Sequence, residues 1–158
     1  MQYSIQVNPI IVRNGGPKDM CILPYYRHPK GCPNYGRKRG CPPHSRFYDD
    51  IYDISKPIYA IYNVFDFAGH VQRMRDKHPN WSQRQLECCL YWQGTARKAL
   101  REYVVPWMGE YPGYSIESTP EAMGVDITNT LLDVGVALEW PPVHVTYQVV
   151  LGGIRRTT

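Results

Sequence analysis

The chain has 158 residues, 43% of them hydrophobic and 20% charged, with a formal net charge of +4. That length is enough to bury a core without disulfide staples, and no apolar run approaches the ~18 residues that span a bilayer, so no membrane partner is expected. With 13 Tyr, 4 Trp and 3 Phe the composition also excludes a disordered chain.

The N-terminal run Met1-Gln2-Tyr3-Ser4-Ile5-Gln6-Val7 has neither a basic nor an apolar leader segment, so a cytoplasmic protein without a secretory signal is expected. Within this start, Tyr3, Ile5 and Val7 alternate with polar residues, and Ile10-Ile11-Val12 resumes after Pro9. A first strand is therefore expected over 3–12, closed by the turn residues Asn14-Gly15-Gly16-Pro17. From Cys21 to Pro57 neither helical nor strand periodicity is present. Prolines stand at 24, 29, 33, 42, 43 and 57, and glycines at 31, 36 and 40. Loops of this length are uncommon in compact domains unless they are functional or cross-linked.

Pro57–Phe67 is rich in β-branched and aromatic residues and reads as a second strand. A short helix is expected over Ala68–Lys77. Ser82, with Gln85 three positions later, has the signature of a capping box. The helix it opens would place Leu86, Cys89, Leu90, Ala96, Leu100, Tyr103 and Val104 on one apolar stripe and end at Pro106. Thr119-Pro120-Glu121 starts a further turn of helix, interrupted at Gly124, and Asp126 caps another that stops at Gly135. Val143–Leu151 is the final strand, after which Gly152-Gly153 and Arg155-Arg156 close the chain. The expected order is β, long loop, β, α, α, α, β. This describes one α+β domain over 1–158, a small sheet covered by helices, with a cysteine-rich metal-binding loop at 21–48 between the first two strands.

The chemistry concentrates in that loop. Clustered cysteines in a reducing compartment are more often metal ligands or catalytic thiols than structural bridges. Cys21, Cys32 and Cys41 are separated by ten and eight residues, and Gly-Cys-Pro occurs twice, at Gly31-Cys32-Pro33 and Gly40-Cys41-Pro42. Structural zinc usually takes Cys-x₂₋₄-Cys pairs, which are absent. A Cys-Pro step turns the chain away from a metal centre and recurs at iron–sulfur ligands. Wide spacing suits a [4Fe–4S] cluster held at three corners. Zinc on the three cysteines plus His28 or His44 is the alternative, and unmetallated thiols the bland one.

Cys89 is the candidate fourth cluster ligand, although its place on the apolar stripe makes it first a core thiol. Cys88 is rotated ~100° from it. His44 could ligate the centre or donate to a substrate. His28, His70, His78 and His144 have no partner spacing.

Arg27, Lys30, Arg37, Lys38, Arg39 and Arg46 lie between Cys21 and Tyr48 with no acidic residue among them. They complement a cluster of net negative charge, or an anionic substrate beside it. Arg37, Lys38, Arg39 and Arg46 are the candidate substrate-binding residues. Tyr25, Tyr26 and Tyr35 interleave with these cations and could stack bases, although no nucleic-acid recognition fold accompanies them. Asp49, Asp50 and Asp53 read as an acidic loop balancing the basic one.

Cys32-Pro33-Asn34-Tyr35-Gly36 followed by Cys41-Pro42-Pro43 resembles an uncharacterised family of predicted metal-binding proteins. Its members carry a Cys-Pro-x-Tyr-Gly…Cys-Pro-Pro segment near the N-terminus. Glu121-Ala122-Met123-Gly124-Val125-Asp126-Ile127 is similar to that family's Glu-Ala-x-Gly-Ile-Asp-Val motif. Members tend to carry a second cysteine-rich set before this motif, where the present chain has Glu110-Tyr111-Pro112-Gly113-Tyr114. The resemblance implies metal binding at a single centre and no settled reaction.

Two functions follow as expectations. One is an iron–sulfur enzyme whose three thiolates leave an iron open to an anionic substrate. Its reaction would be sulfur transfer or removal on a nucleotide or RNA, or a dehydration. The other is a non-catalytic module, stapled by a cluster or by zinc, that binds nucleic acid or a protein partner.

Overall fold

A computed structural model describes residues 1–25 and 28–157. Tyr26 and Arg27, expected respectively to stack bases and to add to the basic loop, lie outside the described residues. The fold is α+β. Its strands are β1 (Gln2–Val7), β2 (Ile58–Asp66), β3 (Ser115–Glu117) and β4 (Val145–Gly153), forming one antiparallel sheet in the order β1-β2-β4-β3. Helices α1 (Pro17–Met20) and α2 (Tyr48–Ile51) lie between the first two strands. Helices α3 (Phe67–Lys77), α4 (Gln83–Leu86) and α5 (Gln93–Glu110) follow β2, and α6 (Ile127–Leu132) follows β3. Among the described residues no helix is long and apolar enough to cross a membrane. Contacts divide the chain into two compact units.

One unit comprises Met1–Ser4, Ile61–Pro112 and Ala137–Val149. Its centre is aromatic. Phe67, Val71 and Leu86 are buried, with Phe65, Met74, Trp81 and Trp92 packed on them. The Trp92 ring stacks on Phe65 at 5.4 Å and meets Phe67 edge-on at 5.6 Å. Such pairs contribute about 0.5–1.5 kcal/mol each beyond their burial.

Asp66 caps α3 by accepting the Gly69 N–H at 2.9 Å, and a Cβ at Gly69 would stand 2.0 Å from an Asp66 carboxylate oxygen. Glycine is therefore required there for so close a cap. Across the strands of this unit, Gln2 donates to Asn63 at 2.6 Å and Asn63 donates to Gln148 at 2.7 Å. This chain satisfies the buried Asn63 amide and fixes the strand register.

The capping box forms as expected: Ser82 accepts the Gln85 N–H and Gln85 reaches back to the Ser82 N–H. The long helix expected from it does not. The chain leaves helical geometry at Cys88 (φ −59°, ψ 124°), makes a 3₁₀ turn over Cys89–Tyr91, and restarts at Gln93. The break lets Trp92 enter the aromatic core and donate its indole N–H to the Glu87 carbonyl at 3.2 Å. It also turns Leu90 out, 85% exposed, and leaves Cys89 exposed, so the expected core role of Cys89 is overturned.

Pro106 does not end α5, which continues to Glu110. An internal proline costs about 3 kcal/mol, and here the burial of Trp107 just beyond it offsets that cost. The Trp107 indole donates to Ser4 Oγ at 2.9 Å and its ring stacks on Tyr111 at 4.3 Å.

The other unit comprises Ile5–Ala60, Gly113–Val136 and Val150–Thr158. Strand β1 stops at Val7. Ile10–Val12 instead pairs with Val125: Val12 N–H donates to the Gly124 carbonyl at 2.9 Å and Asp126 N–H to the Ile10 carbonyl at 2.8 Å. The short strand β3, unforeseen in the sequence, pairs with β4 through Ser115↔Gly153, Ile116↔Gly152 and Glu117↔Leu151. The final strand thus takes in Gly152-Gly153 rather than ending before them. The reason is close packing: a Cβ at Gly153 would stand 2.6 Å from the Tyr48 hydroxyl. Tyr48 and Tyr52 on and beside α2 are fully buried and stack at 4.4 Å. Gly124 ends the 3₁₀ turn Pro120–Met123 in the left-handed region at φ +85°, and its missing Cβ makes room for the Phe47 ring. Asp126 then caps α6 by accepting the Asn129 N–H at 3.0 Å, and Gly135 stops the chain's helical course at φ +84°.

Candidate cysteine centre

Cys21, Cys32 and Cys41 all belong to the second unit, where a series of backbone-bonded turns carries them. Helix α1 runs into Cys21. Tyr25 and His28 exchange backbone hydrogen bonds (3.1 and 2.8 Å), and their rings stack at 4.6 Å. Gly31 follows at φ +82°, where a Cβ would stand 2.7 Å from the Cys21 carbonyl oxygen. Only glycine allows this approach, and through it the Cys32 N–H reaches the Cys21 carbonyl at 2.7 Å.

Next, Tyr35 N–H bonds back to the Cys32 carbonyl at 3.2 Å. Gly36 N–H donates across to the Pro42 carbonyl at 2.8 Å, and Cys41 N–H to the Lys38 carbonyl at 3.0 Å. The turn after Cys32 is thereby tied to the residue after Cys41. The second Gly-Cys-Pro differs: Gly40 has open space where a Cβ would be.

The three thiols are half-buried and form no disulfide, and the Cys21 thiol donates to the Pro17 carbonyl at 3.7 Å. Burial raises the pKa of Cys21, and the charges of Cys32 and Cys41 add to the rise. Tyr25 is raised by burial and by Cys32 and Cys21. Among the described residues no three His, Cys, Asp or Glu side chains are placed to hold a single metal ion. His44 is exposed. Cys88, half-buried, and Cys89 belong to the other unit.

Of the cations, Lys30, Arg37, Lys38, Arg39 and Arg46 are all exposed, and Arg46 donates to the Asp50 carbonyl at 3.3 Å. Two of the three acidic residues are engaged: Asp49 pairs with Arg13 at 2.5 Å, and Asp53 accepts from the Ser55 hydroxyl at 2.6 Å, a bond that lowers its pKa.

Two cations that the sequence did not single out, the exposed Arg13 and the half-buried Lys18, flank the Phe47 ring. Arg13 and Lys18 both lie over the Phe47 ring, at 4.5 and 4.2 Å from its centroid. Together with Asp19 they line one side of a cavity of about 220 Å³. Its other walls come from Ile22, Tyr35, Pro42 and Pro43, residues adjacent or close in sequence to the three cysteines. No local pattern marks this cavity, because α1 and Phe47 meet only through the fold.

No family model, curated protein or solved structure matches the chain.

Proposed function

We propose that Cys21, Cys32 and Cys41 hold a [4Fe–4S] cluster at three corners and that the protein acts on an anionic substrate there. The observation that carries this reading is the tying of the three cysteine-bearing turns to one another, from Cys32 N–H to Cys21 and from Gly36 N–H to Pro42. A lone tetrahedral zinc needs thiolates about 3.8 Å apart, given a zinc–sulfur distance of about 2.3 Å. The wide spacing of the three cysteines in sequence, with ten and eight residues between them, suits a larger object than one ion. The motif resemblance of Cys32–Gly36 and Cys41–Pro43 to a metal-binding family supports a metal centre without choosing the metal.

Such a centre, held by Cys21, Cys32 and Cys41, would supply Lewis-acid chemistry toward a substrate oxygen or sulfur. The chain's own residues bind and orient the substrate's anionic group. The reaction classes this suits are sulfur removal or transfer on a nucleotide or RNA, and dehydration. A second reading is a cluster- or zinc-stapled binding module. It is favoured by the run of exposed apolar residues Met20, Ile22, Leu23 and Tyr25, which suits a protein partner better than nucleic acid.

The test is a serine series on anaerobically prepared protein. Cys21→Ser, Cys32→Ser and Cys41→Ser should each lose the broad absorption near ~400 nm of an iron–sulfur centre. Cys88→Ser and Cys89→Ser should keep it. Loss of absorption on Cys89→Ser would mean a closed, four-thiolate site and favour the binding module. Full retention in all three loop variants would end the metal-centre reading.

A further inference from the structure

The cavity over Phe47 answers a question the cysteine centre leaves open, which is where an anionic substrate is held. We propose that this cavity binds a small organic carboxylate with an apolar body, its charged end at Lys18 and Arg13. The inference rests on the reading of an anionic substrate beside the cysteine centre. It narrows that reading by transferring recognition from Arg37, Lys38 and Arg39 to the half-buried Lys18, with the exposed Arg13 beside it.

Size sets the first limit. A volume of about 220 Å³ is that of about seven waters at about 30 Å³ each, and sites for drug-sized ligands begin near 300 Å³.

Charge sets the second. The Lys18 ammonium has three donors and gives one to the Ser45 carbonyl. Among the described residues no carboxylate lies within ion-pair distance of it. Arg13 is already paired with Asp49 at 2.5 Å, which occupies part of its guanidinium. Asp19 also lines the cavity, with one carboxylate oxygen accepting the Gly15 N–H at 2.7 Å. A phosphate dianion would be repelled by Asp19 more strongly than a monoanion. One spare cation facing one carboxylate suits a single negative charge.

The remaining walls are apolar. Pro42 and Pro43 are rigid and lose no side-chain entropy when a ligand is covered, while Ile22 and Tyr35 line it from exposed positions. Their neighbours in sequence are Cys21 and Cys41, and Tyr35 N–H is bonded to Cys32, so the cavity wall and the cysteine turns are one piece of chain.

The test measures binding of 4-methylpentanoate to the full chain by calorimetry, with 4-methylpentanamide as its uncharged isostere. The carboxylate should bind at least about tenfold tighter than the amide, the scale of one charge-assisted hydrogen bond. Lys18→Met should lose about tenfold in carboxylate affinity. Asp19→Asn, which keeps an acceptor for Gly15, should gain several-fold. The combined Arg37→Ala, Lys38→Ala and Arg39→Ala variant should stay within about twofold of the parent. Because Lys18 also bonds Ser45, Ile22→Trp provides a second variant that adds bulk to the lining from an exposed position and should weaken binding at least about tenfold in a folded protein.

Equal affinity for acid and amide, no binding by the folded parent, or loss only in the Arg37–Arg39 variant would overturn the proposal. Iron and sulfide are measured on the same samples. A full centre without carboxylate binding refutes the cavity assignment alone. Lys18-dependent binding in protein that lacks a centre refutes the cluster alone.

Discussion

Between Ile61 and Pro112 the chain buries Phe67, Val71, Leu86, Ala96, Leu100 and Trp107. Between Cys21 and Arg46 the buried residues among those described are Gly31 and Pro42. The first region is ordered by the hydrophobic effect and by aromatic packing, at about 1.5–3 kcal/mol for each large apolar side chain fully buried. The second is held by backbone hydrogen bonds between turns, each contributing about 0.5–1.5 kcal/mol net. Its apolar residues Ile22, Leu23 and Tyr25 face outward instead. A segment of this kind has little to set against the conformational entropy of about 1–2 kcal/mol per ordered residue. On the proposed reading, a three-thiolate centre would supplement the loop physically as well as chemically.

The largest effect should come from the aromatic region. Phe67→Ala or Trp107→Ala should cost about 3–5 kcal/mol by denaturant titration, the usual range for emptying a packed aromatic site. Leu23→Ala in the loop should cost less than about 0.5 kcal/mol, as for other surface changes. A large loss at Leu23 would mean that the loop has a packed core of its own, and the contrast would fail.

The second effect lies where the loop is anchored. Gly124 sits at φ +85°, and a Cβ there would stand 2.6 Å from the Phe47 ring. Gly124→Ala should therefore cost about 1–3 kcal/mol in backbone strain alone. It should also shift Phe47 together with Arg13 and Lys18, visible as perturbed Phe47 ring resonances. A silent substitution would show that Phe47 is not wedged as described.

These two regions also differ in how far they were legible. Strand β2 and the Ser82–Gln85 cap were plain because β-branched content and a reciprocal cap are local signals. The break at Cys88 was not, because Trp92 is drawn inward by Phe65 and Phe67, which lie far from it in sequence. Pro106 misled for the same reason, since Trp107 packing outweighs the proline. Strand β3 has three residues and takes its structure from pairing with β4, so no alternation could announce it. In the loop, proline and glycine density and cysteine spacing marked the segment, and Gly31 proved to be spaced for the Cys21 backbone. Arg13 and Lys18 escaped notice because what joins them is the Phe47 ring.

A smaller, pH-dependent effect should separate the regions further. His70 is buried in the aromatic unit, its pKa lowered by burial and then by Arg73, with a ring nitrogen bonded to the Leu86 backbone and Nε2 without a partner. A histidine whose folded pKa is depressed binds its proton more readily when unfolded. Its contribution is therefore complete above the ordinary value of 6.5 and declines as pH falls from there toward the folded pKa. Melting curves from pH 7.5 to 5 should show this decline in the parent and a flatter profile in His70→Phe. An unchanged slope in the variant would place the acid sensitivity elsewhere.

The smallest effect is expected for replacing Arg37, Lys38 and Arg39 together with Ala. Exposed charges contribute about 0–1 kcal/mol each, so the melting temperature and metal content should barely change. A marked loss of metal would show that these cations balance the centre rather than lie idle on its rim.

The central claim is that the loop's three cysteines hold a cluster, and its most direct test is the elemental content of the chain. Iron, acid-labile sulfide and zinc should be measured per chain on anaerobically purified protein. The account predicts about four irons and four sulfides, with negligible zinc, as for a single [4Fe–4S] centre. One zinc without sulfide, or no metal with all five thiols titrating as free, would contradict it.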